Sequence, residues 1–567
     1  MSSAFLRQAG QIVTDPVLRR WLRARLLFRT PGAPRFRPHH PPLLGEDWTG
    51  LPLEPPSVAV PALPSGPPDQ PIQLRLPGTR LTLAPGDEAG LFTRTLPDLA
   101  SHLALHRFAW VPLMAPEDDP RWVGTLWAAW RACYGTPDLS SRPWHPDIAA
   151  ERAITLLDFA RRQGLPAPIE DSAAVLAAHG PAIAARLDYF GPHQTSSALF
   201  NNGHGLARLG LDLGLPACAD LGLKLVLSEV ERIVHPSGLL REGSSHYHLH
   251  LTRSLASLWL AAERHCRPEA AALETRLRAA AAQLFHLHLP GGLPLVGALV
   301  PDCPPAFLAG LLPGGDRQSG WMASLDSSER ARLAALLDGL TPGPDPISEG
   351  WVQGHFGPWA GLWHAEPDGW SPVPGHGHQD CGGFELHHQD EALLIDLGEG
   401  ASEAETASMT AHNGLSVDRA PPYPFNRSCY APAFRRRVAG PATLSRTGDG
   451  VTLAYQGFAR LSDVGIAERV WHFTPERMEI CDRLNGRGRH EVTRRLHTGC
   501  TVERGDPGVI LITPQGRRFR LTAGDAPFMV VPERRWLAYD ESLPATRLEV
   551  TVFARLPWTG RLTLEAL

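Results

Sequence analysis

Three imidazoles and two carboxylates gather in the C-terminal half of the chain: in Gly375-His376-Gly377-His378-Gln379-Asp380, at Asp396, and in His412-Asn413. His376 and His378 are two apart, so on an extended segment both point to one face. Phe384 to His388 and Ala392 to Asp396 read as arms of a hairpin turning at Gln389-Asp390-Glu391, which returns Asp396 toward the start of the first arm. His378, Asp396 and His412 then form a mixed nitrogen and oxygen set suited to zinc, with His376 and Asp380 as further ligands or as partners of ligands. The bland alternative is a group of partly exposed histidines among the 25 in the chain.

Two more clusters lie upstream. Phe200-Asn201-Asn202-Gly203-His204-Gly205 by itself reads as a turn and N-cap ahead of a helix starting near His204. Arg241-Glu242-Gly243-Ser244-Ser245-His246-Tyr247-His248 contains a helix-entry signal in Gly243-Ser244-Ser245, which puts Tyr247 and the imidazoles in a first turn facing a cleft. Tyr247 also shares an apolar stripe with Leu251, Leu255 and Leu258, the pattern of a core tyrosine.

The surrounding pattern says what positions these clusters. Residues 11 to 30 read as an arginine-rich amphipathic helix, followed by a proline-rich arm or linker from Pro31 to Pro68. The alternation in Ile72-Gln73-Leu74-Arg75-Leu76 and Leu81-Thr82-Leu83 predicts a short hairpin. From about Leu96 to about Leu340 helical spacing dominates, as in Leu206, Leu209 and Leu213 or Leu223, Val226 and Val230. Short breaker-rich connections such as Gly214-Leu215-Pro216 make neighbouring helices antiparallel. No fixed sequence period is present, which disfavours a regular repeat array. Past Thr341-Pro342-Gly343-Pro344-Asp345-Pro346 the chain turns to short β-like runs, predicting an antiparallel β-sandwich. The expected division is an arm with helix and hairpin over 1–90, a helical domain over 91–345 and a β-sandwich over 346–567.

Composition narrows the function classes. At 567 residues the chain is too long for one core. Its formal charge of -5 argues against nucleic acid and anionic membranes as partners. Lys224 is the sole lysine, so the positive charge is nearly all guanidinium, although a GC-rich coding bias explains this without function. The 8 cysteines are scattered without a CxxC pair, so neither a zinc ribbon nor a disulfide framework is supported. No secretory signal and no transmembrane-length apolar run is evident, giving an expectation of cytoplasmic residence with a periplasmic alternative.

Taken together, Asn201-Asn202-Gly203-His204-Gly205, Gly238 to His248, Gly375 to Asp380, Asp396 and His412-Asn413 resemble the motifs of the heparinase II/III type of polysaccharide lyase. The resemblance implies an N-terminal incomplete (α/α) toroid followed by a C-terminal antiparallel β-sandwich. It also implies roles: Tyr247 takes or returns the sugar proton, Asn202 and His204 hold the uronate carboxylate, and His376 is the second acid/base. His378, Asp396 and His412 become structural zinc ligands, while Arg241, Glu242, His246 and Asn201 are candidate substrate-binding residues. One departure stands out. The family has Asn directly followed by His, whereas Gly203 intervenes here, so either Asn201 or Asn202 takes the asparagine role.

The chemistry so implied is β-elimination from an acidic polysaccharide or oligosaccharide. The C5 proton of a uronate is weakly acidic because the ionised carboxylate resists further negative charge, so donors such as Asn202, His204 and Arg241 must stabilise the enediolate. No redox or nucleotide cofactor is required. Trp144-His145, Tyr189-Phe190, Trp363-His364 and Tyr423 are candidates for stacking on sugar faces, and Asn426, Arg427 and Tyr430 for lining a cleft. Two other classes compete: a non-catalytic glycan-binding accessory protein, and a zinc hydrolase in which His376, His378 and Asp380 activate water. The oligomeric state, homo-oligomer included, is left open.

Overall fold

A computed structural model of the protein describes residues 16–27, 40–45, 47–57, 59–191, 196–369, 378–398, 409–424, 427, 430–524, 526–538 and 541–567. His376, Asn426 and the start of the proline-rich arm, residues 31–39, lie outside the described residues. The helix α1, Pro16–Leu26, sets Val17, Leu18 and Trp21 into the core of the C-terminal sheets. Trp21 lies 6.0 Å, centroid to centroid, from Tyr430. A hairpin, β1 (Ile72–Leu76) and β2 (Thr79–Leu83), buries Ile72, Leu74, Leu76 and Leu83 in the helical core instead.

The helical domain contains α2 (Leu99–Arg107), α3 (Arg121–Tyr134), α4 (Pro146–Gln163), α5 (Ile169–Ala184), α6 (Ala198–Leu213), α7 (Pro216–Ile233), α8 (Ser245–Arg264), α9 (Ala270–Leu287) and α10 (Ser327–Asp338). The junction of α6 and α7 shows how the sequence sets such boundaries. Gly214, at φ 64°, closes α6 in the left-handed conformation that costs other residues most, and Pro216 starts α7 where its missing N–H is harmless. Antiparallel pairs with short connections build the helical domain, in keeping with the incomplete toroid that the family resemblance implied.

Contrary to the reading of Asn201-Asn202-Gly203 as a turn, α6 begins at Ala198 and carries these residues within it. Packing explains the tolerance. A Cβ on Gly203 would sit 3.0 Å from Leu225 Cβ and 3.1 Å from the Gly222 carbonyl of α7. Close approach of α6 and α7 therefore leaves little room for a side chain at the position where glycine interrupts the family motif.

The C-terminal part is antiparallel β-structure in three sheets. The largest runs β13 (Thr501–Arg504), β14 (Val509–Ile512), β15 (Arg518–Ala523), β18 (Trp558–Ala566), β11 (Arg477–Gly486), β10 (Val464–Phe473), β9 (Gly450–Tyr455), β8 (Ala442–Arg446), and two four-stranded sheets run β16 (Met529–Trp536), β17 (Ser542–Arg555), β12 (Arg489–Thr498), β7 (Gly414–Val417) and β3 (Trp351–Phe356), β4 (Trp359–His364), β5 (Gly383–His388), β6 (Glu391–Leu394). Alternating apolar residues from the sheets share a core that includes Trp363, Phe384, Trp471 and Leu496. Among the described residues, no helix is long and apolar enough to cross a membrane.

Candidate active-site cleft and buried metal cluster

The start of α8 is fixed by the segment 294–300. Ser244 caps the helix by accepting from the Tyr247 N–H at 3.0 Å, and its hydroxyl donates to the Ala298 carbonyl at 2.6 Å. The Ser245 hydroxyl donates to the Pro294 carbonyl at 2.5 Å, and the Val300 N–H donates to His246 Nδ1 at 3.2 Å. The same segment reaches the sandwich, where the Leu295 N–H donates to Glu385 Oε1 on β5 at 2.9 Å. Arg535 completes the ion pair with Glu385 at 2.8 Å. Tyr247 is thereby held in register with both domains.

A cleft of about 460 Å³ opens beside it in the toroid. Its walls follow helical spacing: Tyr247, His250, Leu251 and Ser254 from α8, and Asp147, Glu151 and Thr155 from α4. Asn201 from α6, His145 just ahead of α4, Arg107 at the end of α2, Asp188, Arg253 and Asp302 add further polar groups to the lining.

Charge inside the cleft is largely self-compensated. Arg107 pairs with Asp147 and, at 3.1 Å, with Asp302, which holds its guanidinium charged despite burial. The Asn201 amide donates to Asp147 Oδ1 at 2.8 Å. Burial pushes the Asp147 carboxyl up, but Arg107 and Asn201 outweigh it and leave it below the usual range. Glu151 is pushed up to about 7 by burial against the opposing pull of Arg107. Asp188 is likewise raised to about 7 by burial and then by the Asp147 charge. His250 is lowered to about 4 by burial and the neighbouring Arg253.

The predicted residues divide sharply. Tyr247 and Asn201 line the cleft, whereas Asn202, His204, Glu242 and His246 are almost fully buried and do not line it. Asn202 serves Asp188: its Oδ1 accepts the Asp188 N–H at 2.8 Å and its amide donates to Asp188 Oδ2 at 3.1 Å. Glu242 Oε1 accepts the Ser197 N–H at 2.5 Å, tying the start of α8 to that of α6. Arg241 is half-buried beside His235 and Glu349 and does not line the cleft. Of these five candidates for substrate contact, none lines the cleft. Of the two asparagines, Asn201 faces the cleft.

The stacking candidates need a similar correction. Trp144, Tyr189, Trp363 and Tyr423 are core residues, and Tyr423 donates its hydroxyl to Cys381 Sγ at 2.7 Å. Of the aromatic pairs, Phe190 and His145 reach the cleft. Asp147, Asp188, Arg107, Asp302 and His250 escaped the sequence reading, and His145 entered it only as half of a stacking pair. Only His250 carried a local signal, lying one helical turn beyond Tyr247.

The second centre is in the sandwich. Asp380, Asp396 and His412 are buried and present ligand atoms all within 4.8 Å of one another. Asp396 Oδ2 meets His412 Nδ1 at 2.7 Å, and Oδ1 accepts the Gly398 N–H at 3.0 Å. Asn413 anchors the cluster by donating to the carbonyls of Phe384 (2.7 Å) and Ile395 (3.0 Å), and by accepting the His497 N–H at 2.7 Å. His378, expected as a ligand, falls outside the three-residue set. Its ring lies 4.9 Å from that of His412, and Asp380 takes its place.

These residues fit a divalent cation. Among the described residues Asp380 Oδ2 is buried without a hydrogen-bond partner, and two buried carboxylates beside one imidazole leave negative charge for a metal to balance. Burial pushes the Asp380 carboxyl up, which is the cost such an ion would remove.

Residues 364–555 match the family model described as Heparinase II/III-like, C-terminal. The match covers the C-terminal β-structure and leaves the helical domain outside it. The heparinase-type fold extends beyond the matched domain. A solved heparinase III aligns at 14% identity and TM-score 0.58, covering 82% of this chain and 76% of that one. A second heparinase III structure gives 14% identity and TM-score 0.53, covering 84% of this chain and 80% of that chain. A heparan sulfate lyase HepC mutant from Pedobacter heparinus gives 14% identity and TM-score 0.50, covering 88% of this chain and 81% of that chain. At such identities the likeness is one of fold. No curated protein matches the heparinase-like chain by sequence.

Proposed function

We propose that the chain is a polysaccharide lyase that cleaves a uronate-containing polysaccharide or oligosaccharide by β-elimination. The observation that supports this most is Tyr247, half-buried on the wall of a polar toroid cleft, in a chain whose C-terminal domain is heparinase II/III-like. The structures it resembles are named a heparinase and a heparan sulfate lyase, and the acidic-polysaccharide substrate is carried over from those names.

In this reading the Tyr247 phenolate takes the C5 proton of the uronate. The electron pair of that C–H bond becomes the C4–C5 double bond as the C4–O bond breaks. The departing oxygen then receives a proton from the Tyr247 hydroxyl. Tyrosine has an unperturbed pKa of about 10, so cationic neighbours must favour the phenolate. Asn201 supplies a hydrogen-bond donor to the carboxylate, whose developing enediolate charge sets the barrier. The role of His376 as second acid/base rests on its motif, outside the described residues.

Asp380, Asp396 and His412, with His378 beside them, would hold a zinc ion. Bound there, it would supply a fixed positive charge that cross-links the strands. The chemistry belongs to the cleft.

The test is incubation with a panel of uronate polymers while following ultraviolet absorbance of an unsaturated uronate. Absorbance growth supports the lyase. Products without the double bond would point to a hydrolase, and binding without products to a glycan-binding protein.

A further inference from the structure

With Asn202 and His204 buried, the substrate carboxylate needs other partners in the cleft. The donors that line it are already partly engaged. Arg107 lies between Asp147 and Asp302, and the Asn201 amide donates to Asp147. Arg253 faces Asp158 at 3.6 Å and lies over the Trp321 ring.

His145 differs from these. It stands immediately ahead of α4, with Pro146 opening the helix, and its side chain is 36% exposed at the cleft wall. Its Nε2 is 3.7 Å from Asp188 Oδ1. Asp188 is itself only 6% exposed and is clamped by both atoms of the Asn202 amide. The result is an ordered series from a buried amide through a buried carboxyl to a reachable imidazole.

We infer that His145 is a substrate-contacting residue that receives the uronate carboxylate, with Asp188 and Asn202 as the residues that position it. This deepens the lyase reading and rests on its assignment of the cleft as the uronate site. A carboxylate arriving beside His145 favours the imidazolium and gains a charge-assisted hydrogen bond. It also gives the buried asparagine of the family-like motif a task at one remove from the sugar.

The test uses the full chain and calorimetric titration with glucuronate- and mannuronate-containing tetrasaccharides, each paired with its carboxyl-reduced, neutral counterpart. The wild type should prefer the acidic form by about ten-fold or more, the scale of one charge-assisted bond. His145→Ala should bring the two forms within about two-fold of each other, and His145→Gln should recover part of the preference. Asp188→Asn should weaken the preference while His145 remains in place.

Retention of the full preference in His145→Ala, or its loss in His250→Ala alone, would overturn the inference. If the preference depends on His145 but no polymer yields an unsaturated product, the carboxylate site stands and the lyase reading falls. If the wild type binds neither form, both fall.

Discussion

The toroid cleft and the sandwich cluster hold the same residue types under opposite conditions. In the cleft, tyrosine, imidazole, amide and carboxyl groups line an open volume of about 460 Å³, and their charges are spread over several helices. In the sandwich, Asp380, Asp396 and His412 are sealed within 4.8 Å of one another, under a network built by Asn413. Accessible groups can meet a sugar and exchange protons with it. Sealed groups can only hold structure or an ion. The described residues of the histidine-rich motif, His378 and Asp380, thus sit with the sandwich cluster, while the proposed acid/base role stays with His376.

The contrast can be broken from the sandwich side first. Asp396→Ala leaves His412 buried without its 2.7 Å partner, and should cost about 3–5 kcal/mol of unfolding free energy. Chemical denaturation of the sandwich checks this, and an unchanged midpoint would remove the cluster from the framework. Next is the metal. Elemental analysis should find one divalent ion per chain, and chelation should lower stability by about 2.7 kcal/mol where free ion had stood at about 100 times its Kd. A metal-free protein, or one that keeps its ion after His412→Ala, would leave the cluster as a hydrogen-bond network alone.

Smaller effects sharpen the cleft. Gly203→Ala forces a methyl against Leu225 and the Gly222 carbonyl, and should destabilise the toroid by about 1–3 kcal/mol in a melting experiment. Asp188 provides a pH signature. Its carboxyl is raised to about 7 in the folded state, so it stays protonated where the unfolded chain has already ionised. Stability from this source is present below the unfolded carboxyl pKa and declines as pH rises toward 7. Asp188→Asn should flatten that decline in melts across the window, and an unaltered profile would contradict the assigned protonation.

What could be read in the sequence follows from how local each signal is. The cap at Gly243-Ser244-Ser245 lies in one short stretch, and the structure starts α8 there. The change from helical to alternating spacing likewise marks the passage from toroid to sandwich. Asn201-Asn202-Gly203 misled because its amides and glycine are turn-like in isolation. Only the neighbouring helix α7 explains the glycine, and only Asp188 satisfies Asn202. Arg107, His145, Asp188 and Asp302 come from four separate segments, so no spacing rule links them before the toroid closes. Asp380 was visible as an added ligand, but its exchange with His378 depends on side-chain placement.

The central claim, that chemistry sits in the cleft and the sandwich supports it, is tested most directly by Tyr247→Phe assayed for unsaturated uronate alongside a thermal melt. The account predicts that turnover falls by about 10²–10⁴-fold, the usual range for removing a positioned acid/base group, while melting is unchanged. Undiminished turnover on a polymer that the wild type cleaves would contradict it.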